Sequence, residues 1–258
     1  MKLSVVIITK NESLNIGDCI DSVRFANEII IVDSGSTDDT VMIARQAGAT
    51  VIETVDWPGF GPQKNRALDA ARGEWILSID ADERISASLR NEILTTLKNP
   101  THTAFLIPRL SSFCGRFVRH SGWYPDRIVR LFQRGAGRFS DDLVHEKIVL
   151  TSPDCGAMKN HLIHYSYLDD DTYLRKLQQY SSLGAQQAYL AGKRCGLSTA
   201  IVHGVAAFMR SYLFKRGFLD GRVGLMVAIC AAQSSYHKYF KLMLLSESKS
   251  SDIDPSGL

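Results

Sequence analysis

The chain has 258 residues, of which 45% are apolar and 22% are charged, and its formal net charge is +3. This length and apolar content suffice for a large hydrophobic core, whereas so weak a positive charge gives no argument for a nucleic-acid-binding protein. The five cysteines are odd in number and lack the spacing of a zinc knuckle or a redox pair, which predicts reduced thiols in a cytosolic compartment.

The first half of the chain predicts strands that alternate with helices. The segments with the apolar, β-branched content of buried strands are "LSVVIIT", "EIIIVD", "TVIE" and "EWILSID". Between them, Ile16, Cys19 and Ile20 have helical spacing, and "STDDTVMIARQAG" predicts a helix capped by Ser36 or Thr37. A third helix is predicted at "QKNRALDAARG". This alternation predicts right-handed βαβ units and an open α/β sheet.

Polar side chains follow three of these strands, at residues 9–12, 33–36 and 80–83. In an open α/β sheet, ligands bind at the carboxyl ends of the strands. Polar loop starts and helix caps are common without any function, so one such end alone would decide nothing. Three of them together, one with a pair of aspartates, favour a binding site.

The third of these ends carries Asp80, Asp82 and Glu83 within four positions. Like charges repel each other at such short distances, so the sequence predicts a cation between them. No "GxGxxG" follows the first strand and no "GxxxxGK" occurs, which excludes a dinucleotide fingerprint and a P-loop. Carboxylates at a strand end commonly fix Mg²⁺ or Mn²⁺ against a diphosphate, so Asp80 and Asp82 predict a sugar-nucleotide site with a divalent metal cofactor.

Three segments carry a family resemblance. "VVIITKNES", "IIIVDSGSTDDT" and "WILSIDADE" together resemble the inverting family 2 glycosyltransferases, in which an Asp-any-Asp motif follows the fourth strand. The resemblance covers roughly the first half of the chain. It implies a nucleotide-binding, Rossmann-like open mixed sheet of the GT-A type, followed here by a helical C-terminal region.

The resemblance also implies roles in binding the UDP-sugar donor. Thr9, Asn11 and Glu12 would line the nucleoside pocket. Asp33 would bond the uracil or the ribose, and Lys64 would lie near the base. A helix cap for Asn11 and an ordinary surface charge for Lys64 remain the alternatives.

By the same resemblance, Asp80 would face the ribose and Asp82 the metal. Farther along, His161 and His164 flank a short apolar run, and neutral imidazole accompanies carboxylates at several metal sites. We assign His164 to the metal beside Asp82. A hydrogen-bonded structural histidine is the alternative for each.

The acceptor side is predicted in "GWYPDRIVRLFQRGAGRFSDDLVHEKI", where aromatic residues alternate with arginines. The chain shows no helix-turn-helix or stacking-sheet signature, so we expect a sugar and no nucleic acid. Trp123 and Tyr124 would form a stacking face, with core packing as the alternative for Trp123. Arg127 would pair with acceptor phosphates and Arg130 with donor phosphates.

Inverting transfer needs a base that takes the proton of the attacking hydroxyl. In related enzymes an "RLFQ" strand and a following "VHE" recur together, and this chain has both. Glu146 is therefore the predicted base and His145 its rival. The metal at Asp82 would neutralise the charge that develops on the leaving group.

Long helices are predicted from Asp169 onward. Charged residues interrupt their apolar run before any span of roughly twenty residues is complete, so none is expected to cross a bilayer. Basic residues edge the apolar faces: Lys193, Arg194, Arg210, Lys215, Arg216, Arg222, Lys238 and Lys241. This pattern favours helices that lie on an anionic membrane surface. A helical subdomain packed on the sheet or on a second copy is the alternative.

The predicted domain organisation has three parts. An α/β domain spans 1–165, with a nucleotide half at about 1–100 and an acceptor half at about 101–165. A basic amphipathic helical region follows at 166–245, and 246–258 is a predicted disordered tail.

At full length the chain resembles the lipopolysaccharide core β-1,4-glucosyltransferases. That resemblance implies transfer of glucose from UDP-glucose to an inner-core heptose of an anionic glycolipid, by a peripheral protein on the cytoplasmic face of the inner membrane. A different UDP-sugar donor or a polyprenyl phosphate acceptor is the alternative of the same class. A nucleotidyltransferase and an inactive sugar-nucleotide binding module are the alternatives of other classes.

Overall fold

The computed structural model describes residues 1–140, 146–167 and 170–248. The chain forms two compact units. The first consists of Met1–Leu110 and Pro125–Tyr165, and the second of Ser111–Tyr124 and Ser166–Leu258. The segment 111–124 thus belongs with the C-terminal helices.

Twelve strands are present in the described part of the chain. In order they are β1 (Leu3–Thr9), β2 (Glu28–Asp33), β3 (Thr50–Glu53), β4 (Trp75–Ser78), β5 (Glu83–Ile85), β6 (Ala104–Phe113), β7 (Arg116–Phe117), β8 (Asp126–Gln133), β9 (Gly137–Phe139), β10 (Ile148–Leu150), β11 (Cys155–Ala157) and β12 (Leu162–Tyr167). The helices are α1 (Ile16–Ser22), α2 (Thr40–Gln46), α3 (Phe60–Ala70), α4 (Ala87–Lys98), α5 (Asp170–Leu190), α6 (Leu197–Met209) and α7 (Gly221–Ser248). A π-helical turn at Arg210–Phe214 and a 3₁₀ turn at Gly217–Asp220 join α6 to α7.

The main sheet has the strand order β3-β2-β1-β4-β8-β6-β12-β5. The first four of these strands are mutually parallel, whereas β8 is antiparallel to both β4 and β6. The predicted open mixed α/β sheet followed by helices is therefore confirmed. The separate hairpin of β9 and β10 lies outside this sheet.

Both faces of the parallel half are buried, as the unbroken apolar runs predict. Val5 and Ile7 of β1 pack into a core with helices α1 and α4, while Val6 packs on the other face with helix α3. The register places Thr9 opposite Asp33, so the ends of β1 and β2 lie side by side. The polar residues after these strands therefore gather at one edge, as expected.

Two helix starts differ from the prediction. Helix α2 begins at Thr40 with Asp39 as its N-cap, not at Ser36 or Thr37. The physical reason is that Ser36 is already engaged, since its amide and its hydroxyl both donate to the carboxylate of Asp33. Helix α3 begins at Phe60, earlier than expected, because Pro62 fits in a first helical turn, where its missing amide proton has no cost.

The second unit has a core of its own. It is an aromatic and aliphatic cluster that includes Phe113, Trp123 and Tyr173, with Val223 and Val227 from α7. Helix α7 extends to Ser248, and residues 249–258 of the predicted tail lie outside the described residues.

One segment of the described chain, Leu197–Phe214, has the length and apolar composition of a membrane-crossing helix. Its mean hydropathy is 1.2, and 17% of it is buried. Length and composition alone do not separate such a helix from a surface-seeking one or from a core helix.

A close backbone contact at Gly73 supports a stability prediction. A Cβ atom at this position would lie 2.7 Å from the Ser4 amide nitrogen and 2.9 Å from the Lys2 carbonyl oxygen. We expect Gly73→Ala to lower the free energy of unfolding by about 1–3 kcal/mol, measured by denaturant unfolding. Gly17→Ala is the matched control in the same unit, because its Cβ would meet only Ile43 at 3.6 Å and helix α1 would gain propensity. Equal stability of the two variants would contradict this account.

Candidate functional site

The loops after β1 and β2 are held to each other by hydrogen bonds. Asn11 has a left-handed φ of 56°, and its amide donates to Ser36 Oγ at 2.8 Å. Its side-chain Oδ1 accepts from the Thr37 amide at 2.8 Å. Asp33 Oδ1 accepts from the amides of Gly35 and Ser36 at 3.0 and 2.8 Å. Asn11 and Asp33 thus meet through Ser36.

Thr9 and Glu12 complete this edge. Thr9 is buried, and its hydroxyl lies 3.5 Å from Asp33 Oδ2. The Glu12 amide donates to Thr40 Oγ1 at 2.8 Å, and its Oε2 accepts from Asn15 at 2.8 Å. The structure therefore brings Thr9, Asn11 and Asp33 together, with Glu12 fixed against the start of α2.

Asp80, at the end of the fourth strand, lies between two cationic side chains. Lys64 Nζ on helix α3 is 2.9 Å from Asp80 Oδ1, and Arg130 Nη2 on β8 is 2.6 Å from Asp80 Oδ2. Both cationic residues are buried, and each is only 5% exposed. Burial raises the pKa of Asp80, but the charges of Arg130 and Lys64 outweigh it and hold this pKa well below its usual range.

Glu83 shares one of these cations. It is fully buried, its Oε1 lies 2.7 Å from Arg130 Nη2, and its Oε2 accepts from the Asp80 amide at 2.9 Å. Arg109 approaches the same carboxylate at 3.5 Å. Glu83 was predicted only as one of the clustered acids, without a role of its own, although a third acid directly after the Asp-any-Asp motif was a signal for one. Glu83 thus joins the backbone at Asp80 to the Arg130 side chain.

The expected cation between the carboxylates is thus supplied in part by the chain itself. Lys64 and Arg130 offset Asp80 and Glu83, while Asp82 faces His164, with Oδ2 and Nε2 3.3 Å apart. The backbone supports this pair, because the Tyr165 amide donates to the Asp82 carbonyl oxygen at 2.9 Å.

The metal assignment can be tested on this geometry. Within residues 1–140, 146–167 and 170–248, no three His, Cys, Asp or Glu side chains gather as a metal site. Mg²⁺ and Mn²⁺ bound beside a diphosphate need only one or two protein ligands, since phosphate and water oxygens supply the rest. Asp82 and His164 fit a metal of that kind.

Glu146 lies at the same edge. Lys64 Nζ is 2.8 Å from Glu146 Oε1, so one ammonium group joins the predicted base to Asp80. Gln63, which was not among the predicted site residues, precedes this lysine on α3. It is fully buried and donates to Ser34 Oγ and Thr54 Oγ1 at 2.9 and 2.7 Å. The sequence signal that could have identified Gln63 was its position directly before Lys64. The rival base His145 lies outside the described residues.

The predicted acceptor residues fall in both units. Arg127, in the first unit, is exposed and donates to the Met158 carbonyl oxygen at 3.2 Å. Trp123 and Tyr124 belong to the second unit. Trp123 packs against Phe113 and Tyr167, with ring centroids 6.1 and 6.0 Å apart, so its core-packing interpretation describes at least one face of the ring.

Comparison with solved structures identifies the same architecture elsewhere. The structure of S. aureus TarS 1-349 in complex with UDP-GlcNAc superposes with a TM-score of 0.50 at 18% sequence identity. The match covers 98% of this chain and 89% of that one. At this identity the likeness shows the fold.

Comparison of sequences shows the family. The model of Glycosyl transferase family 2 matches residues 4–164, more than half of the chain. The lipopolysaccharide core biosynthesis glycosyltransferase LpsC of Rhizobium meliloti (strain 1021) is 31% identical over 253 residues, covering 93% of each protein. An uncharacterized glycosyltransferase of Rickettsia prowazekii (strain Madrid E) is 30% identical over 257 residues, covering 95% of this chain and 88% of the relative. The chain belongs to glycosyltransferase family 2 and is similar to a lipopolysaccharide core glycosyltransferase.

Proposed function

We propose that this chain transfers glucose from UDP-glucose, with inversion, to an inner-core heptose of lipopolysaccharide on the cytoplasmic face of the inner membrane. The observation that carries the proposal is the Asp80–Lys64–Glu146 array, which joins the donor-side carboxylate to a candidate base. The similarity to LpsC supports the class of acceptor.

In this proposal the donor binds at the carboxyl ends of β1, β2 and β4. Thr9, Asn11, Glu12 and Asp33 line the nucleoside pocket, because the two loops that carry them are already fixed to each other. Asp80 faces the ribose. Such preorganisation lowers the entropic cost of binding.

Arg130 serves the diphosphate. Its Nη2 pairs with Asp80 and Glu83, while its Nε is buried and has no hydrogen-bond partner in the described part of the chain. A buried donor of this kind is costly unless it bonds an acceptor, and a phosphate oxygen is a fitting one.

Asp82 and His164 would hold the divalent metal. When bound, the ion would neutralise charge on the leaving diphosphate. The chain's own part is to position both side chains, which β5 and β12 do by pairing His164 with Glu83 in register.

Glu146 is the proposed base. Its carboxylate takes the proton of the attacking heptose hydroxyl as the bond from the sugar to the diphosphate breaks on the opposite face. Lys64 holds this carboxylate at 2.8 Å and so orients it. Trp123, Tyr124 and Arg127 are proposed to contact the acceptor.

Peripheral membrane binding is proposed for helix α6. Exposed apolar side chains recur every four residues at Leu197, Ile201, Val205 and Met209. Another side of α6 packs on α7, since a Cβ atom at Gly204 would lie 3.3 Å from Tyr236 Cβ. Exposed basic residues follow the C-terminal end of this helix: Arg210, Lys215, Arg216 and Arg222. An apolar stripe with cations beyond its end suits a bilayer surface rich in anionic lipid.

The base assignment is tested by Glu146→Gln. We expect the transfer rate to fall by about 10²–10⁴-fold while binding of UDP-glucose is retained, because a neutral amide cannot accept the proton. Radiolabelled transfer to heptose-containing acceptors and calorimetry of donor binding measure the two effects. Glu74→Gln, an exposed residue just before β4, is the matched control and should leave both unchanged. Near-wild-type turnover of Glu146→Gln would move the base to His145.

The membrane proposal is tested by flotation with vesicles. The full chain should float with vesicles that contain phosphatidylglycerol and much less with phosphatidylcholine alone, since the flanking charges add electrostatic attraction. The double variant Ile201→Ser, Val205→Ser should lose flotation, whereas Leu14→Ser, also exposed but in the first unit, should not. Flotation of the double variant at the wild-type level would contradict the proposal.

A further inference from the structure

A pocket lies within the second unit, and its lining residues are far in sequence from the three strand ends. Its volume is about 560 Å³, and it is formed by the loop at 121–123, helix α6, the π-helical turn and helix α7. This volume lies in the ordinary range for small-molecule sites.

The pocket is lined by three cations, Arg210, Lys215 and Lys238, and by no acidic residue. In the parts of the chain that are described, no carboxylate lies within ion-pair distance of any of the three. Three gathered positive charges without a counter-charge attract an anion and repel one another in its absence.

Two buried hydroxyl groups add an independent observation. Ser121 and Ser211 line the same pocket and are only 8% and 6% exposed. Neither Oγ has a hydrogen-bond partner among residues 1–140, 146–167 and 170–248. Buried hydroxyls without partners are costly, so both side chains have unused donors where an oxyanion could accept.

The backbone holds these groups in place. Ser121 adopts a left-handed φ of 59°, and its amide donates to the Lys215 carbonyl oxygen at 2.9 Å. The amides of Arg119 and His120 both donate to Asp220 Oδ2, at 2.9 and 2.7 Å. Because the loop at 119–121 is tied at several points to the segment 215–220, the site is formed before any ligand enters.

Gly217 shows how closely this region is packed. A Cβ atom there would lie 2.5 Å from Ser121 Oγ and 2.8 Å from the Ser211 carbonyl oxygen. Only glycine allows the 3₁₀ turn to approach both serines. The two hydroxyl-bearing residues are therefore held at fixed positions by close backbone contacts.

We propose that this pocket binds a phosphate group carried on a sugar. The hydroxyls of Ser121 and Ser211 donate to phosphate oxygens, and Arg210, Lys215 and Lys238 neutralise its charge. Flat rings that also line the pocket suit the sugar that carries the phosphate: Trp123, and His203 stacked on Tyr239 at 3.9 Å. Assigning this phosphate to the glycolipid acceptor rests on the proposed function, whereas phosphate binding itself does not.

The test is calorimetric titration of the full chain with inorganic phosphate and with glucose 6-phosphate, in the presence of excess UDP and Mn²⁺ to occupy the strand-end site. We expect both to bind, and Arg210→Gln and Lys215→Gln each to weaken binding by about tenfold. Arg116→Gln removes the same charge from an exposed position of the second unit, outside the pocket lining, and should bind as the wild type does. Wild-type affinity in both pocket variants would overturn the proposal.

Ser211→Ala separates a binding role from a structural one. Losing an unpartnered buried hydroxyl should leave the melting temperature unchanged or higher, while phosphate affinity falls about tenfold. A lower melting temperature with unchanged affinity would overturn the proposal.

The source of the phosphate is tested by competition. Free glucose should not displace inorganic phosphate, and glucose 6-phosphate should. Displacement by vesicles containing phosphatidylglycerol but not by glucose 6-phosphate would overturn the sugar-phosphate assignment in favour of a lipid headgroup. None of these titrations requires transfer, so a chain that binds phosphate but transfers no sugar would refute the proposed function alone.

Discussion

The ionised side chain of Asp80, set between Lys64 and Arg130, is the interaction on which the strand-end site depends. It joins the end of β4 to helix α3 and strand β8 through contacts of 2.9 and 2.6 Å. Removing charges from water is expensive unless each is paired and hydrogen-bonded. Loss of one member would therefore leave the charges of the others uncompensated. Because Lys64 contacts both Asp80 and Glu146, its loss would affect the positions of both carboxylates.

Lys64 extends this constraint toward chemistry. The same ammonium group contacts Asp80 and Glu146. A donor that binds at the strand ends, as we propose, would therefore lie beside the group that we propose takes the acceptor proton. Glu83 stabilises this array by accepting a hydrogen bond from the Asp80 amide. Asp82 stands outside it and meets His164, which leaves that pair available for a metal. Glu83 and Asp82 thus have different partners, Arg130 and His164.

Hydrophobic periodicity was enough to predict the parallel half of the sheet, because strands buried on both faces need unbroken apolar runs such as "VVII". The gathering of Thr9 and Asp33 at one edge followed from the rule that ligands bind at the carboxyl ends of the strands in an open α/β sheet. The contact of Lys64 with Glu146 could not be predicted from the sequence, because it joins residues 82 positions apart and depends on side-chain direction. The predicted start of α2 was wrong, because Ser36 forms local hydrogen bonds to Asp33 instead of capping the helix. The pocket around Ser121 and Ser211 requires tertiary packing that no local pattern contains.

The most direct test of the account is calorimetric binding of UDP with Mn²⁺ and again with a chelator, on the wild-type chain and on Asp82→Ala. The account predicts binding that requires the metal in the wild type and is lost in the variant, because Asp82 is a proposed ligand beside the diphosphate. Equal affinity with and without metal, or unchanged metal-dependent binding in Asp82→Ala, would contradict it.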